Sequence, residues 1–236
     1  MPDLAKELYS VLHGAGAALV GFADMRQVPA EARQGLPRAV SIAVARDPFF
    51  VASLSNGPPP ESPGEFRRNN ELLDELRSLA VRVLQQHGHQ AITRRTQQYG
   101  VDEATLSTVL PHKTAATRAG LGWIGRCAVL VTEAYGSAVR ITTVLTDAPL
   151  PVGTPLDDSL CGDCRACVDA CPGRAVTGRA WRLGVPREAL LDAFTCRDTG
   201  KALSQARGLS ENHYCAYCVA VCPQTQSYLR RAGALG

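Results

Sequence analysis

The sequence predicts a mixed α+β/α/β fold, with an N-terminal α/β domain over residues 1–155 and a small cysteine-rich domain over residues 156–236. Amphipathic helices alternate with strand-sized apolar runs as far as Thr146. Eight of the nine cysteines follow residue 160. The proline-rich stretch 147–155 separates these two compositions and predicts a linker. We therefore expect a layered domain followed by a small domain that its cofactors hold together.

Hydrophobic periodicity defines the first elements. The run DLAKELYSVLH predicts an amphipathic helix over residues 3–13. Apolar runs over residues 17–25 and 38–46 predict buried strands. The composition SNGPPPESPGE predicts a surface loop over residues 55–65.

The rest of the N-terminal part predicts a second set of elements. A long helix is predicted over residues 65–87, because apolar side chains recur there every three or four residues. A strand is predicted over residues 89–95, a helix over 111–120 and a tight turn over 122–125. A hairpin is predicted from two strands, 127–132 and 137–146.

Composition and charge exclude several classes of protein. No apolar run approaches the ~18 residues that a membrane span needs. The N-terminus lacks the basic region of a signal peptide, so we expect a cytoplasmic protein. The 25 basic and 22 acidic residues give a net charge of +3 that is spread along the chain. Such an even distribution does not favour tight binding of nucleic acid.

The first cysteine motif is CGDCRACVDACP, from Cys161 to Pro172. Its spacing, C-x2-C-x2-C-x3-C-P, is the bacterial ferredoxin pattern for a [4Fe–4S] cluster. Three thiolates on one tight loop can bind three irons of one cube, and the fourth cysteine ligates the other cluster. In a reducing compartment a disulfide framework is disfavoured.

The second cysteine motif is CAYCVAVCP, from Cys215 to Pro223, and it lacks one early cysteine that Cys196 can supply. Zinc prefers two C-x2-C pairs, which explains neither the further cysteine of each motif nor the repeated Cys-Pro. Cys127 is left over, and we expect a buried inert thiol there rather than a ligand or nucleophile. The predicted ligand sets are Cys161, Cys164, Cys167 and Cys222 for one cluster, and Cys171, Cys196, Cys215 and Cys218 for the other.

The stretch RAGLGWIGR, from Arg118 to Arg126, precedes a predicted hairpin ending in VLTD at Asp147 and then C-G-x-C-x-x-C. This combination resembles the epoxyqueuosine reductase family, iron–sulfur and cobalamin-dependent reductases with relatives among the reductive dehalogenases. The resemblance runs from about His112 to Pro223. It implies a short, divergent member with a nitroreductase-like (cobalamin-reductase-like) α/β domain and a ferredoxin-like module for two [4Fe–4S] clusters.

Three departures from the family pattern bear on the substrate. The family continues into a helical-repeat region that helps hold tRNA, whereas this sequence ends at Gly236, so we expect tRNA to be an unlikely partner. The family's proton-donating Asp has no equivalent in TLSTVLPHKT, residues 105–114, and Asp102 can replace it only with a shifted register. Arg126 and Cys127 stand where the family usually has Lys-Asn.

Candidate site residues surround this motif. His112 and Lys113 begin the helix that leads into it; an imidazole can donate a proton, and an ammonium can hold an anion. With Asp102 they are the candidate catalytic residues, although solvated polar residues at a helix start are the simpler alternative. The candidates for cobalamin binding, for which turn geometry and core packing are the alternatives, are Arg118, Gly120, Gly122, Trp123, Gly125 and Arg126.

Three functions compete at this point. The first is a reductase whose clusters pass low-potential electrons to cobalamin or a small substrate in the N-terminal domain. The second is an electron-transfer or activating protein that reduces a partner such as a corrinoid protein. The third, a nucleic-acid-binding iron–sulfur protein, is the least favoured because of the even charge. In the first two, we expect an electron donor such as ferredoxin, flavodoxin or a reductase.

Overall fold

The structure is a computed structural model that describes residues 2–93, 101–209 and 215–235. The chain forms two compact units, each assembled from three segments. The first, the α/β unit, consists of Met1–Ala45, Asn69–Leu121 and Arg140–Leu156. The second, the cysteine unit, consists of Arg46–Arg68, Gly122–Val139 and Asp157–Gly236.

A four-stranded sheet forms the centre of the α/β unit, in the order β1-β2-β6-β3. Strands β1 and β2 are antiparallel, with Leu19 opposite Ala43. Strands β3 and β6 are also antiparallel, with Ile92 opposite Leu145. The strands span Leu19–Asp24 (β1), Arg38–Ala45 (β2), Ala91–Thr93 (β3) and Val139–Thr146 (β6).

Amphipathic helices cover this sheet with their apolar faces. The helices are α1 (Pro2–Gly14), α3 (Ser62–Gln86) and α4 (His112–Arg118). Leu8 of α1 and Leu76 of α3 are fully buried in one cluster with Phe22 and Ile42 of the sheet. Each such side chain contributes about 1.5–3 kcal/mol by its burial, so this cluster stabilises the unit.

The cysteine unit is made of short elements. They are α2 (Pro48–Ser53), β4 (Trp123–Ile124), β5 (Leu130–Val131), α5 (Ala166–Asp169), α6 (Ala193–Gln205), α7 (Tyr217–Ala220) and α8 (Pro223–Arg231), with 3-10 turns at Leu54–Asn56 and Arg187–Ala189. Its apolar core includes Val51, Leu54, Ala138, Val219 and Leu229. Residues from all three segments of the unit therefore meet in one core.

Most of the long predicted elements are confirmed. The helices predicted over 3–13, 65–87 and 111–120 and the strands over 17–25 and 38–46 correspond to α1, α3, α4, β1 and β2. The strand predicted over 89–95 is observed as Ala91–Thr93, and its last two residues lie outside the described residues.

The predicted hairpin of 127–132 with 137–146 is wrong in its strand pairing, although one antiparallel bridge between Thr132 and Gly136 closes the predicted turn. Strand β5 pairs with β4, with Trp123 opposite Val131, whereas β6 joins the large sheet beside β3. The turn over 122–125 is also wrong, since Trp123 and Ile124 form β4. Apolar alternation identifies strands but not their partners, and Gly122 lets β4 approach the Val131 carbonyl closely.

The predicted loop over 55–65 is also only partly observed. A 3-10 turn includes residues 54–56, and α3 already begins at Ser62. Helix α2 precedes this stretch and was not predicted; Asp47 caps it by accepting a hydrogen bond from the Phe50 amide at 2.8 Å.

Among the described helices, none combines the length and the apolar character of a membrane span.

Candidate metal centre

The cysteines of the two motifs lie on short helices and their flanking loops. Helix α5 carries Cys167, and α7 carries Cys218 with Cys215 just before it and Cys222 just after it. All nine cysteines are free thiols; eight are half-buried and Cys127 is buried. Left-handed backbone at Ala216, with φ of 56°, turns the second motif into α7. The spacing of each motif thus presents several sulfurs from one short segment.

Three cysteines from different parts of the chain lie near one another: Cys171, Cys196 and Cys215. Burial, and then the nearby Cys215 and Cys171, raises the pKa of Cys196 to about 11. Burial also raises the pKa of Cys215, to which the nearby Cys171 contributes. The last cysteine of the first motif and the first cysteine of the second motif are therefore close enough for their charges to interact.

A second neighbourhood joins Cys161 with Cys222. Burial is the main cause that raises the pKa of Cys222, and the nearby Cys161 adds to it. The first cysteine of the first motif thus lies near the last cysteine of the second motif. These two neighbourhoods are what crossed ligand sets need, and the assignment of each ligand stays a prediction.

Donors to sulfur test whether this arrangement fits iron–sulfur clusters. The Ala175 amide donates to Cys171 Sγ at 3.3 Å, and the Trp123 indole N–H donates to Cys161 Sγ at 3.4 Å. Such N–H···S contacts are typical of cluster ligands, whose charge they stabilise. Within the described ranges no three His, Cys, Asp or Glu side chains converge on one metal ion, but a cube binds each thiolate through a different iron. The residues therefore fit [4Fe–4S] clusters.

Cys127 lies among the cluster cysteines. Contact with Cys167 lowers the pKa of Cys127, but contact with Cys218 and burial outweigh it, so that this pKa lies well above its ordinary value. Contact with Cys127, followed by burial, raises the pKa of Cys167 well above its usual range. The sequence offered no signal for these contacts beyond the position of Cys127 directly after WIGR.

Two of the predicted cobalamin-binding residues lie against the first cysteine motif. Trp123 is buried with its N–H on Cys161, as described above. The Arg126 guanidinium donates to the Gly162 carbonyl at 2.6 Å and to the Gly178 carbonyl. Within the cysteine unit, both side chains therefore hold the loop that carries the sulfurs.

The predicted cofactor glycines lie at close backbone approaches. Gly120 has φ of 72°, and a Cβ there would lie 2.7 Å from the Thr154 carbonyl oxygen. A Cβ on Gly122 would collide with the Val131 carbonyl oxygen. At Gly125 it would lie 2.9 Å from a Val131 methyl group. Turn geometry and strand packing account for these glycines, and their role towards a cofactor stays a prediction.

Three of the remaining predicted residues lie in or beside α4 in the α/β unit. The ring of His112, at the start of the helix, makes a 3.0 Å hydrogen bond with the Thr143 hydroxyl. Lys113 follows it and is half-buried. Arg118 is buried, and its Nε donates to the Asp24 carbonyl at 2.7 Å. Asp24 ends β1, so Arg118 holds the helix against the sheet.

Asp102 lies in an exposed turn. Its carboxylate accepts the Ala104 amide hydrogen bond at 2.8 Å, and its backbone bridges to Ser107. This local role is that of a residue that closes its own turn. The shifted register that would make Asp102 a proton donor stays a prediction.

A family model described as a 4Fe-4S double cluster binding domain matches residues 160–225. The epoxyqueuosine reductase of Aliivibrio fischeri is 27% identical over 213 residues, which cover 89% of this chain and 56% of that protein. The epoxyqueuosine reductase of Pseudomonas aeruginosa is 28% identical over 234 residues, covering 93% and 60%. This chain thus spans somewhat more than half the length of these curated relatives.

Solved structures share the fold. An epoxyqueuosine reductase with a tRNA-Tyr epoxyqueuosine-modified tRNA stem loop has a TM-score of 0.63 and 19% identity, covering 96% of this chain and 66% of that one. A reductive dehalogenase whose structure suggests a mechanism for B12-dependent dehalogenation has a TM-score of 0.69 and 18% identity, covering 96% and 33%. The mixed α/β class is confirmed, whereas the nitroreductase-like plus ferredoxin-like layout stays a prediction.

These comparisons bear on three predictions. The expectation that tRNA is an unlikely partner is not supported, because the relatives are epoxyqueuosine reductases and one related structure contains a tRNA stem loop. The predicted pair of [4Fe–4S] clusters is confirmed by the matched domain. The resemblance to this family is confirmed as well: this chain is similar to the epoxyqueuosine reductases over most of its length and carries a domain for two [4Fe–4S] clusters.

Proposed function

We propose that this chain is an iron–sulfur oxidoreductase that delivers low-potential electrons to cobalamin or to a small substrate held by the α/β unit. The observation that carries the proposal is the crossed proximity of the two cysteine motifs, Cys161 with Cys222 and Cys171 with Cys196 and Cys215. Each cluster transfers one electron at a time, so two clusters in one chain can deliver the two electrons that such a reduction needs.

The proposed ligands divide the cysteines into two sets. One cluster binds to Cys161, Cys164, Cys167 and Cys222, and the other binds to Cys171, Cys196, Cys215 and Cys218. The Trp123 indole and the Ala175 amide donate to one sulfur of each set. These donors favour the reduced, more negative form of each cluster.

The α/β unit contributes the proposed proton donor. The Thr143 hydroxyl holds the ring of His112 at the start of α4, which gives an imidazole a fixed orientation. Lys113 adds positive charge in the same turn and suits an anionic substrate or corrinoid side chain. Cobalamin fits this proposal because B12-dependent dehalogenation is the subject of one related structure.

The second candidate is an electron-transfer protein that reduces a partner and has no substrate of its own. The sequence before Gly120 supports it, because TLSTVLPHKT contains no carboxylate. Asp102, the nearest alternative, closes its own exposed turn. In this case, the same clusters accept electrons from a ferredoxin, flavodoxin or reductase and pass them to a corrinoid protein.

Anaerobic reconstitution and titration with cob(II)alamin under dithionite distinguish the two functions. We expect about eight irons and eight sulfides per chain, the count for two [4Fe–4S] clusters. Spectral changes that saturate with cob(II)alamin support the reductase. Eight irons without corrinoid binding support the electron-transfer protein, and zinc without acid-labile sulfide contradicts both.

Two matched variants test the crossed ligand sets. Cys222→Ser removes a predicted ligand of the cluster at Cys161, and Cys171→Ser removes one of the cluster at Cys196. Each variant should lose about four irons; Cys222→Ser should lose the same electron paramagnetic resonance (EPR) signal as Cys161→Ser, and Cys171→Ser should lose the other signal. Loss of the same signal in Cys171→Ser and Cys161→Ser would contradict the crossing.

A third measurement tests the tRNA substrate that the relatives' name suggests. Fluorescence anisotropy with a tRNA-Tyr anticodon stem loop, with and without the epoxyqueuosine modification, measures binding directly. Tighter binding of the modified stem loop would support activity on tRNA. Equal and weak binding, lost as salt rises, would indicate non-specific contact only.

A further inference from the structure

The indole of Trp123 donates a hydrogen bond to a predicted cluster ligand. Its Nε1 lies 3.4 Å from Cys161 Sγ, and the side chain is only 6% exposed. Water is therefore a poor substitute for this donor. A donor on a ligand sulfur stabilises the added negative charge when the cluster is reduced, which raises the reduction potential.

Cys127 contacts sulfurs from both motifs. Helix α5, which carries Cys167 of the first motif, packs against α7, which carries Cys218 of the second motif. The Cys127 thiol interacts with both of these sulfurs, and only 5% of the residue is exposed. In the proposed ligand sets these two cysteines belong to different clusters. A thiol carries one proton, so Cys127 can donate fully to only one of the two sulfurs at a time.

We infer that Trp123 and Cys127 set the reduction potentials of the two clusters, Trp123 acting on the cluster at Cys161 and Cys127 sharing one S–H donor between both clusters. The inference rests on the proposed ligand sets and does not depend on the substrate. Both are positioning residues, because they act through the ligand sulfurs.

The shared donor has a consequence for the order of reduction. An electron added to either cluster would make its ligand sulfurs better hydrogen-bond acceptors, and the Cys127 S–H would then donate preferentially to that cluster. The first electron is stabilised in this way. The second electron receives less stabilisation, because the single S–H proton already donates to the cluster that was reduced first. Cys127 therefore increases the difference between the reduction potentials of the two clusters.

An anaerobic redox titration of the full chain, followed by EPR, tests this inference. Trp123→Phe should make the potential of one cluster more negative and leave the other unchanged. Cys127→Ala should make the first reduction step more negative and bring the two steps closer together. Each shift should reach up to about a tenfold change in the one-electron equilibrium constant, about 59 mV.

Two further variants serve as controls. Cys127→Ser keeps one hydrogen-bond donor and should retain most of the separation between the two potentials. Trp181→Phe changes the other tryptophan of the cysteine unit, which contributes its backbone carbonyl to Ser159, and should leave both potentials in place.

A second measurement keeps the inference testable if Trp123→Phe fails to fold. In Trp181→Phe the only remaining tryptophan is Trp123. With its indole nitrogen labelled as 15N, electron–nuclear double resonance should detect coupling to one reduced cluster. Absence of this coupling would overturn the role of Trp123.

The remaining outcomes separate this inference from the proposed function. If Cys127→Ala loses about four irons, Cys127 is a ligand, and the shared-donor inference is wrong. If it retains eight irons with unchanged potentials, the inference is also wrong. Fewer than eight irons in the wild-type chain would instead contradict the two-cluster assignment beneath the proposed function.

Discussion

At the scale of single residues, the most unusual group is the carboxylate of Glu65, which is only 2% exposed. Carboxylates are almost never buried unless they are paired. Arg46 pairs with it through two parallel hydrogen bonds of 2.9 Å to the two carboxylate oxygens. The backbone carbonyl of Arg46 accepts a hydrogen bond from the Tyr228 hydroxyl at 2.9 Å, which links α8 to the residue that carries this pair.

Removal of one member of this pair should be costly. Arg46→Met removes two charge-assisted hydrogen bonds from the buried Glu65 carboxylate, and we expect a loss of about 3–5 kcal/mol in the free energy of unfolding. Arg46→Met with Glu65→Leu should recover most of it. Urea unfolding followed by circular dichroism measures both.

Arg26→Met serves as the control for this experiment. Arg26 pairs with Asp24 but is 65% exposed, so its loss should change stability little. If Arg46→Met were no more destabilising than Arg26→Met, the buried pair would have no special role.

At the scale of elements, the first turn of α6 matters because it carries Cys196. Asp192 caps this helix by accepting the Thr195 amide at 2.9 Å and the Thr195 hydroxyl at 2.7 Å. The amide of Thr195, and then its hydroxyl, hold the pKa of Asp192 below its ordinary value. The cap thus fixes the start of the helix one turn from a predicted ligand.

Substitution of the cap should loosen this ligand. Asp192→Ala should lower the melting temperature and speed the loss of iron to a chelator, whereas Asp192→Asn retains an acceptor and should lose less. Iron release measured against time compares the two variants. Equal release from both would show that the cap has no part in holding Cys196.

The charge of this cap also predicts a pH dependence. Because its folded pKa is lowered, Asp192 contributes stability that is complete above the ordinary pKa of about 3.9 and is lost as pH falls through the lower folded value. In thermal unfolding of the iron-free chain, wild type should lose this contribution in acid. Asp192→Asn should lack that part of the pH dependence.

Strand β4 depends on the absence of a side chain at Gly122. A Cβ there would collide with the Val131 carbonyl oxygen, which lies in the paired strand β5. We expect Gly122→Ala to cost about 1–3 kcal/mol and to move Trp123 away from Cys161. Gly14→Ala is the control, because a Cβ at Gly14 meets no atom within 4 Å.

The same strand pair explains which parts of the fold and site were predictable. Helices α1 and α3 repeat their apolar residues over several turns, and the cysteine spacings need no tertiary contact to be recognised. The pairing of β4 with β5 spans only two residues per strand, which is too short for a periodic signal. The contacts of Trp123 and Cys127 depend on two segments meeting in the fold, which spacing along the chain does not encode.

At the scale of the whole molecule, the cysteine unit takes part of its structure from segments far upstream of the cysteines. The Ser137 amide donates to the Thr225 hydroxyl at 2.9 Å. The Arg207 guanidinium donates to the carbonyls of Asn56 and Pro58. Residues 46–68 and 122–139 therefore belong to the structure that surrounds the second motif.

This sharing predicts the behaviour of the isolated cysteine-rich segment. A chain of residues 156–236 lacks Trp123, Cys127 and the Arg46–Glu65 pair, and we expect it to retain fewer irons and to unfold more readily than the full chain. Iron retention against a chelator measures the difference. Equal retention would show that 156–236 is an independent domain.

Because of the contact between Trp123 and Cys161, tryptophan fluorescence should measure the formation of one cluster. The chain has two tryptophans, so Trp181→Phe leaves one indole, and that indole touches a predicted cluster ligand. Iron–sulfur clusters absorb light in the region where tryptophan emits, and a cluster this close should quench the emission of Trp123. The fluorescence of Trp123 should therefore fall as the cluster at Cys161 forms and recover as that cluster is lost. Emission measured over time would follow the assembly of this one cluster.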